Sequence, residues 1–171
     1  MQTTVYVASA FSKDNQGGNK AGVVLMEQPL TTIQKMAIAK ELGYAETAYI
    51  SQSSVADYKL EYFTPKEEVD LCGHATIGSF VIMMHLNMLS KDHYTIETNS
   101  GVLSISIQGD SIFMEQNQPQ FYDVIPTNEL MDCLDIVNIN AEFPIQIVST
   151  GLRDILIPIQ SETQLHNLQP N

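Results

Sequence analysis

Apolar positions along the chain repeat in two ways. Short runs rich in β-branched and aromatic residues predict strands at Thr3–Phe11, Ala21–Met26, Ala45–Ser51 and Asp57–Phe63. In the last of these Tyr58, Leu60 and Tyr62 alternate with Lys59 and Glu61, the two-residue period of a half-buried strand. Further on, Tyr94–Thr98, Val102–Ile107 and Ser111–Glu115 are separated by Asn99-Ser100-Gly101 and Gly109-Asp110, which predicts an antiparallel meander. Two stretches carry a helical period instead. Thr31-Thr32-Ile33-Gln34 fits a capping box, Ile33, Met36, Ala37 and Leu42 supply an apolar stripe, and Gly43 a left-handed stop. From His74 on, Ile77, Phe80, Val81, Met84 and Met88 share one face while Ala75, Ile82, Leu86 and Leu89 fall on others. Such a helix is apolar nearly all round and is expected to be buried; at roughly 20 Å it is too short to span a bilayer. The resulting order, β-β-α-β-β-α-β-β-β, is an α+β plan in which a curled, mostly antiparallel sheet wraps a central buried helix.

The two helix starts differ. Thr31 caps the first, whereas Cys72-Gly73-His74 offers the second no Ser, Thr or Asn immediately before its first turn. Free amides at that end would attract an anion such as a carboxylate, and Gly73 would let it approach the backbone. The competing reading is that Asp70 caps a helix beginning earlier, and both stay open. In Ala45–Ser51, Glu46 shares a face with Ala48 and Ile50; a carboxylate among apolar groups has its proton affinity raised toward the range useful for acid/base chemistry. A solvated Glu at a fraying strand end is the simpler alternative, and the residues alone favour it. Gly17-Gly18-Asn19, before the second strand, fits a plain hairpin loop or a close approach to a ligand. Lys66, Glu67, Glu68 and Asp70 are expected in a solvated loop.

The last third is sparser. Asn117–Asn128, bracketed by Pro119 and Pro126, reads as a linker; Thr127–Leu134 suggests a short helix, Pro144–Ser149 and Leu152–Ile159 two strands, and Thr163–Leu168 the first turns of a helix. The expected division is a complete domain over 1–117 followed by a linker and the first elements of an incomplete second domain over 118–171.

Composition narrows the partners. With 8 Lys plus Arg against 20 Asp plus Glu, the net charge is -12 and the pI near 4.5. Nucleic acid and anionic membranes, which require clustered basic residues, are therefore not expected. The first residues carry no basic region followed by a long apolar one, so no secretion signal is expected, and Cys72 and Cys133 look like free thiols. A cytoplasmic location follows as the default. His74, His85, His93 and His166 show no metal-ligand spacing and no dinucleotide or phosphate loop is present, so neither metal nor cofactor is expected; His85 is expected to be a satisfied core residue.

Several short motifs, in order, resemble the PhzF-like phenazine biosynthesis family, which shares its fold with diaminopimelate epimerase. They are Gly18-Asn19, Glu46-Thr47-Ala48-Tyr49, Tyr62-Phe63-Thr64-Pro65, and Glu68-Val69 leading into Gly73-His74-Ala75-Thr76. Together they cover Thr3 to about Gln118, and Val148–Leu152 is similar to the opening of the family's second half. The resemblance implies two similar domains, each a curled sheet around a helix, with the active site between the two helix starts. It implies a cofactor-independent isomerase that moves a proton on a small carboxylate-bearing metabolite, and a homodimer. By position, Glu46 is then the acid/base, Gly73 and His74 bind substrate, and Asn19 lies near it. Lys20 stands where the family usually has Pro, and Glu61 where a basic residue is common, so substrate contacts are expected to differ. The second-half motif, roughly Asp-Pro-Ala-Thr-Gly-Ser, does not occur, and activity is expected only where that half is supplied.

Two alternatives remain. In the related epimerases and proline racemases a cysteine in this motif serves as base, and a thiol at a helix N-terminus has a lowered pKa, so Cys72 is a rival to Glu46, with Cys133 as the remaining cysteine. A catalytically incomplete binding module is the other.

Overall fold

The structure is a computed structural model that describes residues 3–14, 16–130 and 139–169. It divides into two compact units, residues 1–116 and 117–171.

The first unit is an eight-stranded sheet with two helices. β1 (Tyr6–Ala10), β2 (Asn19–Leu25), β3 (Thr47–Ser51), β4 (Tyr58–Phe63), β6 (His93–Thr98), β7 (Gly101–Gln108) and β8 (Ser111–Met114) follow one another across it, and the two-residue β5 (Glu68–Val69) pairs with β4. Most pairs are antiparallel. The two exceptions are the pairs joined through helices: β2 to β3 through α1 (Thr32–Leu42), and β4 to β6 through α2 (Gly73–His85). Antiparallel neighbours need only a tight turn, as at Gly109 with its φ of 60° between β7 and β8, whereas parallel ones need a crossover. α2 packs against β1, β2 and β3 and also against β8, so strands from both ends of the sheet reach one helix. The sheet curls around α2. A Cβ on Gly78 would lie 3.0 Å from the Ala8 Cβ, so a larger residue there would press α2 off β1.

Alternation along the strands sorts their side chains between the two faces. Ala21, Val23, Ala48, Ile50, Leu60, Tyr62, Ile96, Leu103 and Ile105 join Ala75, Phe80 and Met83 of α2 in the main core. Val24, Tyr49 and Phe63 face the other way and form a smaller core with Ala39 of α1.

Both helices bury different stripes from those their hydropathy suggests. On α1 the buried residues are Lys35 and Ala39, while Ile33 is 80% exposed and Ala37 is also exposed. The reason is a buried ion pair: Lys35 Nζ lies 2.6 Å from Glu61 Oε2, above the Tyr49 and Phe63 rings. On α2 the buried residues include Thr76, Gly78 and Ser79, while Val81 is exposed. The hydroxyls of Thr76 and Ser79 donate to the carbonyls of Cys72 and Ala75, and so enter the core already satisfied. His85 is exposed at the end of α2 and is not a core residue.

The second unit has β9 (Gln120–Val124), β10 (Gln146–Ser149) and β11 (Arg153–Leu156) in one antiparallel sheet, with a 3-10 turn at Thr127–Glu129 and α3 (Glu162–His166). The stretch expected to be a linker is therefore partly a strand, since Phe121 and Val124 pair with β10. Ile145 is buried; Phe121, Val124, Phe143, Ile155 and Leu156 are exposed. The short helix expected over Thr127–Leu134 is a 3-10 turn over Thr127–Glu129 ending at Leu130, and residues 131–134, Cys133 among them, lie outside the described residues. Among the described residues no helix is long and apolar enough to cross a membrane.

Candidate active site

Glu46 sits at the mouth of β3. Its carbonyl accepts the Gly22 amide at 3.2 Å, so the backbone there belongs to the sheet ladder and does not fray. Its side chain points to the same face as Ala48 and Ile50, the face covered by α2, and is 23% exposed. The start of α2 meets it there. His74 Nε2 lies 3.4 Å from Glu46 Oε2, and both atoms are closed off from solvent, yet neither has a well-directed hydrogen bond. The other imidazole nitrogen, Nδ1, is 3.3 Å from the Cys72 sulfur.

The helix start is open, as one of the two readings held. Cys72 is the N-cap residue, it makes no side-chain capping hydrogen bond, and the first intrahelical bond is Thr76 N–H to the Cys72 carbonyl. Asp70 is exposed and lies before the helix, with no capping role. Around Gly73 nothing lies within 4 Å of where a Cβ would be, so an incoming group has room at its amide. The amides of a helix start favour an anion, and the Glu46 carboxyl stands close to them, 3.4 Å from the His74 ring.

Cys72 behaves differently from the expectation for a thiol at a helix start. Burial pushes its pKa up to about 12, and the neighbouring Glu46 carboxylate adds to the push; the amides of Ala75 and His74 pull the other way without prevailing. The helix end alone predicts a lowered value, but the side chain is 7% exposed and faces an acid.

Two residues that hold this site were not singled out from the sequence. Thr76 donates its hydroxyl to the Cys72 carbonyl at 2.7 Å, so the 2.6 Å contact between Tyr62 and Thr76 has Tyr62 as donor. The chain of bonds runs from β4 to the residue before Gly73 and fixes where α2 begins. Burial raises the Tyr62 pKa, which keeps the hydroxyl protonated as that donor. Both residues fall inside the quoted motifs, Tyr62-Phe63-Thr64-Pro65 and Gly73-His74-Ala75-Thr76, which was the available signal.

Asn19 opens β2, pairs with Ala10 and is exposed; by alternation it shares the face of Ala21 and Val23, the α2 side. The structure shows no contact between it and Glu46 or His74. Lys20 is exposed on the opposite face. Glu61, expected to alter substrate contacts, is on the α1 side of the sheet in its ion pair with Lys35, away from this site. The histidines show no metal-ligand spacing along the sequence, but in the fold ligand atoms of Glu46, Cys72 and His74 lie within 4.8 Å of one another.

Residues 8–171 match the PhzC-PhzF family, described as phenazine biosynthesis-like protein. The uncharacterized isomerase YfhB of Bacillus subtilis is 37% identical over 160 residues, which cover 89% of this chain and 55% of that protein. The crystal structure of a Bacillus anthracis phenazine biosynthesis protein of the PhzF family superposes with a TM-score of 0.87 at 32% identity, over 100% of this chain and 60% of that one. A hydroxyproline epimerase from Agrobacterium vitis, 11% identical with a TM-score of 0.58, covers 94% of this chain and 51% of its own, and shares the fold. The chain thus spans a little over half the length of these relatives. With its α+β, epimerase-like sheet curled around α2 and its family match across nearly the whole length, this chain belongs to the PhzC-PhzF family.

Proposed function

We propose that this chain carries one half of a cofactor-independent isomerase site that moves a proton on a small carboxylate-bearing metabolite. Glu46 removes the proton from one carbon and returns it at another. The amides of Gly73 and His74 hold the substrate carboxylate, His74 steadies the Glu46 carboxylate from 3.4 Å, and Asn19 is assigned to substrate binding on the family resemblance alone. The observation that carries this reading is the Glu46 Oε2 atom itself, closed off from solvent and without a hydrogen bond beside an open helix start. An unmet acceptor in that position costs stability unless a ligand or a proton completes it. The relatives named isomerases support the reaction class.

The facing half of the site belongs to sequence that the longer relatives have room for, and turnover depends on it. A homodimer in the cytoplasm, binding neither nucleic acid nor membrane, is the setting proposed.

Solvent deuterium exchange tests the assignment. Small carboxylic acids bearing an activated C–H are incubated in deuterium oxide with this chain and with its full reading frame. Wash-in is expected with the intact protein and should fall by roughly 10²–10⁴ with Glu46→Gln, the usual contribution of a positioned acid/base. Wash-in that survives Glu46→Gln and disappears with Cys72→Ser moves the base to the cysteine. Tight carboxylate binding without wash-in in the full reading frame leaves a binding module.

A further inference from the structure

The four histidines carry no metal-ligand spacing in sequence, but folding gathers three ligand types at one point. The Glu46 carboxylate, the Cys72 sulfur and the His74 imidazole offer atoms that all lie within 4.8 Å of one another. Two of these residues have solvent-inaccessible atoms without a hydrogen-bond partner, Glu46 Oε2 and His74 Nε2, 3.4 Å apart. That separation suits two ligands of one metal ion: bonds of about 2.0–2.2 Å in tetrahedral geometry hold nitrogen and oxygen roughly 3.3–3.5 Å apart. The Cys72 sulfur, within 4.8 Å of the other two ligand atoms and 3.3 Å from Nδ1, the ring's other nitrogen, has to swing toward Nε2 to reach the spacing of a zinc-bound thiolate. The open space at Gly73 leaves room for a fourth ligand.

We propose that Glu46, Cys72 and His74 form a binding site for a borderline-soft divalent cation of the zinc class, its fourth position taken by water or a carboxylate, and that the occupied site is an inhibited state of the protein. The donor set chooses the metal. Thiolate and imidazole suit zinc and its neighbours, whereas magnesium and calcium want oxygen ligands. Binding breaks the S–H bond of Cys72 and forms a sulfur–metal bond; the released proton leaves to solvent, so one proton is exchanged for one cation and no redox partner is needed. Capture of the metal does not rest on the proton-transfer reading. Inhibition does, because a Glu46 carboxylate bound to a cation no longer accepts a proton from substrate.

Cobalt(II) is the probe, since a thiolate ligand gives it a charge-transfer band in the near ultraviolet. The whole chain is used as Cys133→Ser, which removes the second thiol. A band that saturates at one cobalt per chain, is displaced by zinc and vanishes in Cys72→Ser is the expected result. Affinity should fall at least tenfold in His74→Ala and in Glu46→Gln, and stay unchanged in His93→Gln and His166→Gln. Thermal unfolding of each variant confirms the fold, with Cys72→Ala replacing Cys72→Ser should the serine variant not fold. A folded Cys133→Ser protein without the band, or a band that survives loss of Cys72, overturns the site. Deuterium wash-in that zinc stops and a chelator restores supports the inhibited state; wash-in indifferent to bound zinc overturns that part alone. If no wash-in is found with any acid, the cobalt spectrum still decides the site.

Discussion

Two helices meet the same sheet from opposite sides, and they begin in opposite ways. At the start of α1 Thr31 and Gln34 satisfy each other's backbone amides, and one turn in, Lys35 closes onto Glu61 at 2.6 Å. At the start of α2 no side chain caps the amides, and the acid beside them, Glu46, stands 3.4 Å from His74 with an oxygen that no donor meets. Glu61 lies on β4 and Glu46 just before the neighbouring β3, and they differ in what surrounds them. The first is bound into the structure, its charge used up by a buried lysine. The second is sheltered and touches the Cys72 thiol, with its Oε2 atom free of any hydrogen bond. A protein tolerates an unmet polar atom at a cost of about 1–3 kcal/mol, and that cost is sensible where a ligand completes the bond.

The sharpest way to break the contrast is to make both acids amides. Glu46→Gln should lower exchange by roughly 10²–10⁴, about 3–5 kcal/mol at the transition state, while leaving the melting temperature close to that of the parent. Glu61→Gln should do the reverse. It leaves the Lys35 ammonium buried over the Tyr49 and Phe63 rings without its counter-charge. Fully buried pairs lose roughly 3–5 kcal/mol when one partner goes, and the partial exposure of Glu61 reduces that to about 2–3 kcal/mol. Urea unfolding and deuterium wash-in on both variants check the exchange of roles. A Glu46→Gln protein that unfolds as easily as Glu61→Gln would make both acids structural.

How much of this was legible in sequence follows from how local each feature is. The capping box at Thr31, the left-handed Gly43 with φ of 70° and the turns between β6, β7 and β8 are set by neighbours a few residues apart, and they read directly. The buried stripe of α1 was not legible, because hydropathy assigns Lys35 to solvent while its partner Glu61 lies 26 residues away. The approach of Glu46 to Cys72 and His74 spans the same distance, so spacing along the chain left it open, and only the resemblance in motifs implied it. β9 was hidden by its proline flanks and by exposed positions that do not alternate. The open start of α2 was only half legible: a missing cap can be read from Cys72-Gly73-His74, but whether Asp70 supplied it depended on where the helix began.

Cys72 sharpens the comparison at the next level of effect. A thiol whose pKa is pushed up to about 12 is almost wholly protonated at pH 8, so alkylation by iodoacetamide should be slow in the folded protein and keep rising past pH 9 without a plateau. The same shift has a sign for stability. The folded state holds this proton more tightly than the unfolded state, whose value is near 9.0, so the contribution is complete below pH 9 and is lost as pH rises toward about 12. Denaturation midpoints of wild type and Cys72→Ala should therefore converge above pH 9. Alkylation with a plateau near pH 7 would restore the cysteine as a base and weaken the case for Glu46.

The smallest effect belongs to the other helix start. Thr31→Ala removes the hydroxyl that accepts the Gln34 amide at 3.3 Å, and Gln34 loses the contact that its side chain makes with that hydroxyl. An N-cap substitution of this kind costs about 1 kcal/mol, which in a unit of this size lowers the melting temperature by roughly 3–5 °C. Activity should not change, since α1 lies across the sheet from Glu46. At α2 no capping oxygen is there to remove, so Cys72→Ala costs the packing of one buried sulfur and the weak bonds it accepts from the His74 and Ala75 amides. Calorimetry on the two alanine variants measures the difference. A loss of activity in Thr31→Ala would mean that the two sides of the sheet are coupled, and that the division of labour between them is less clean than their hydrogen bonds suggest.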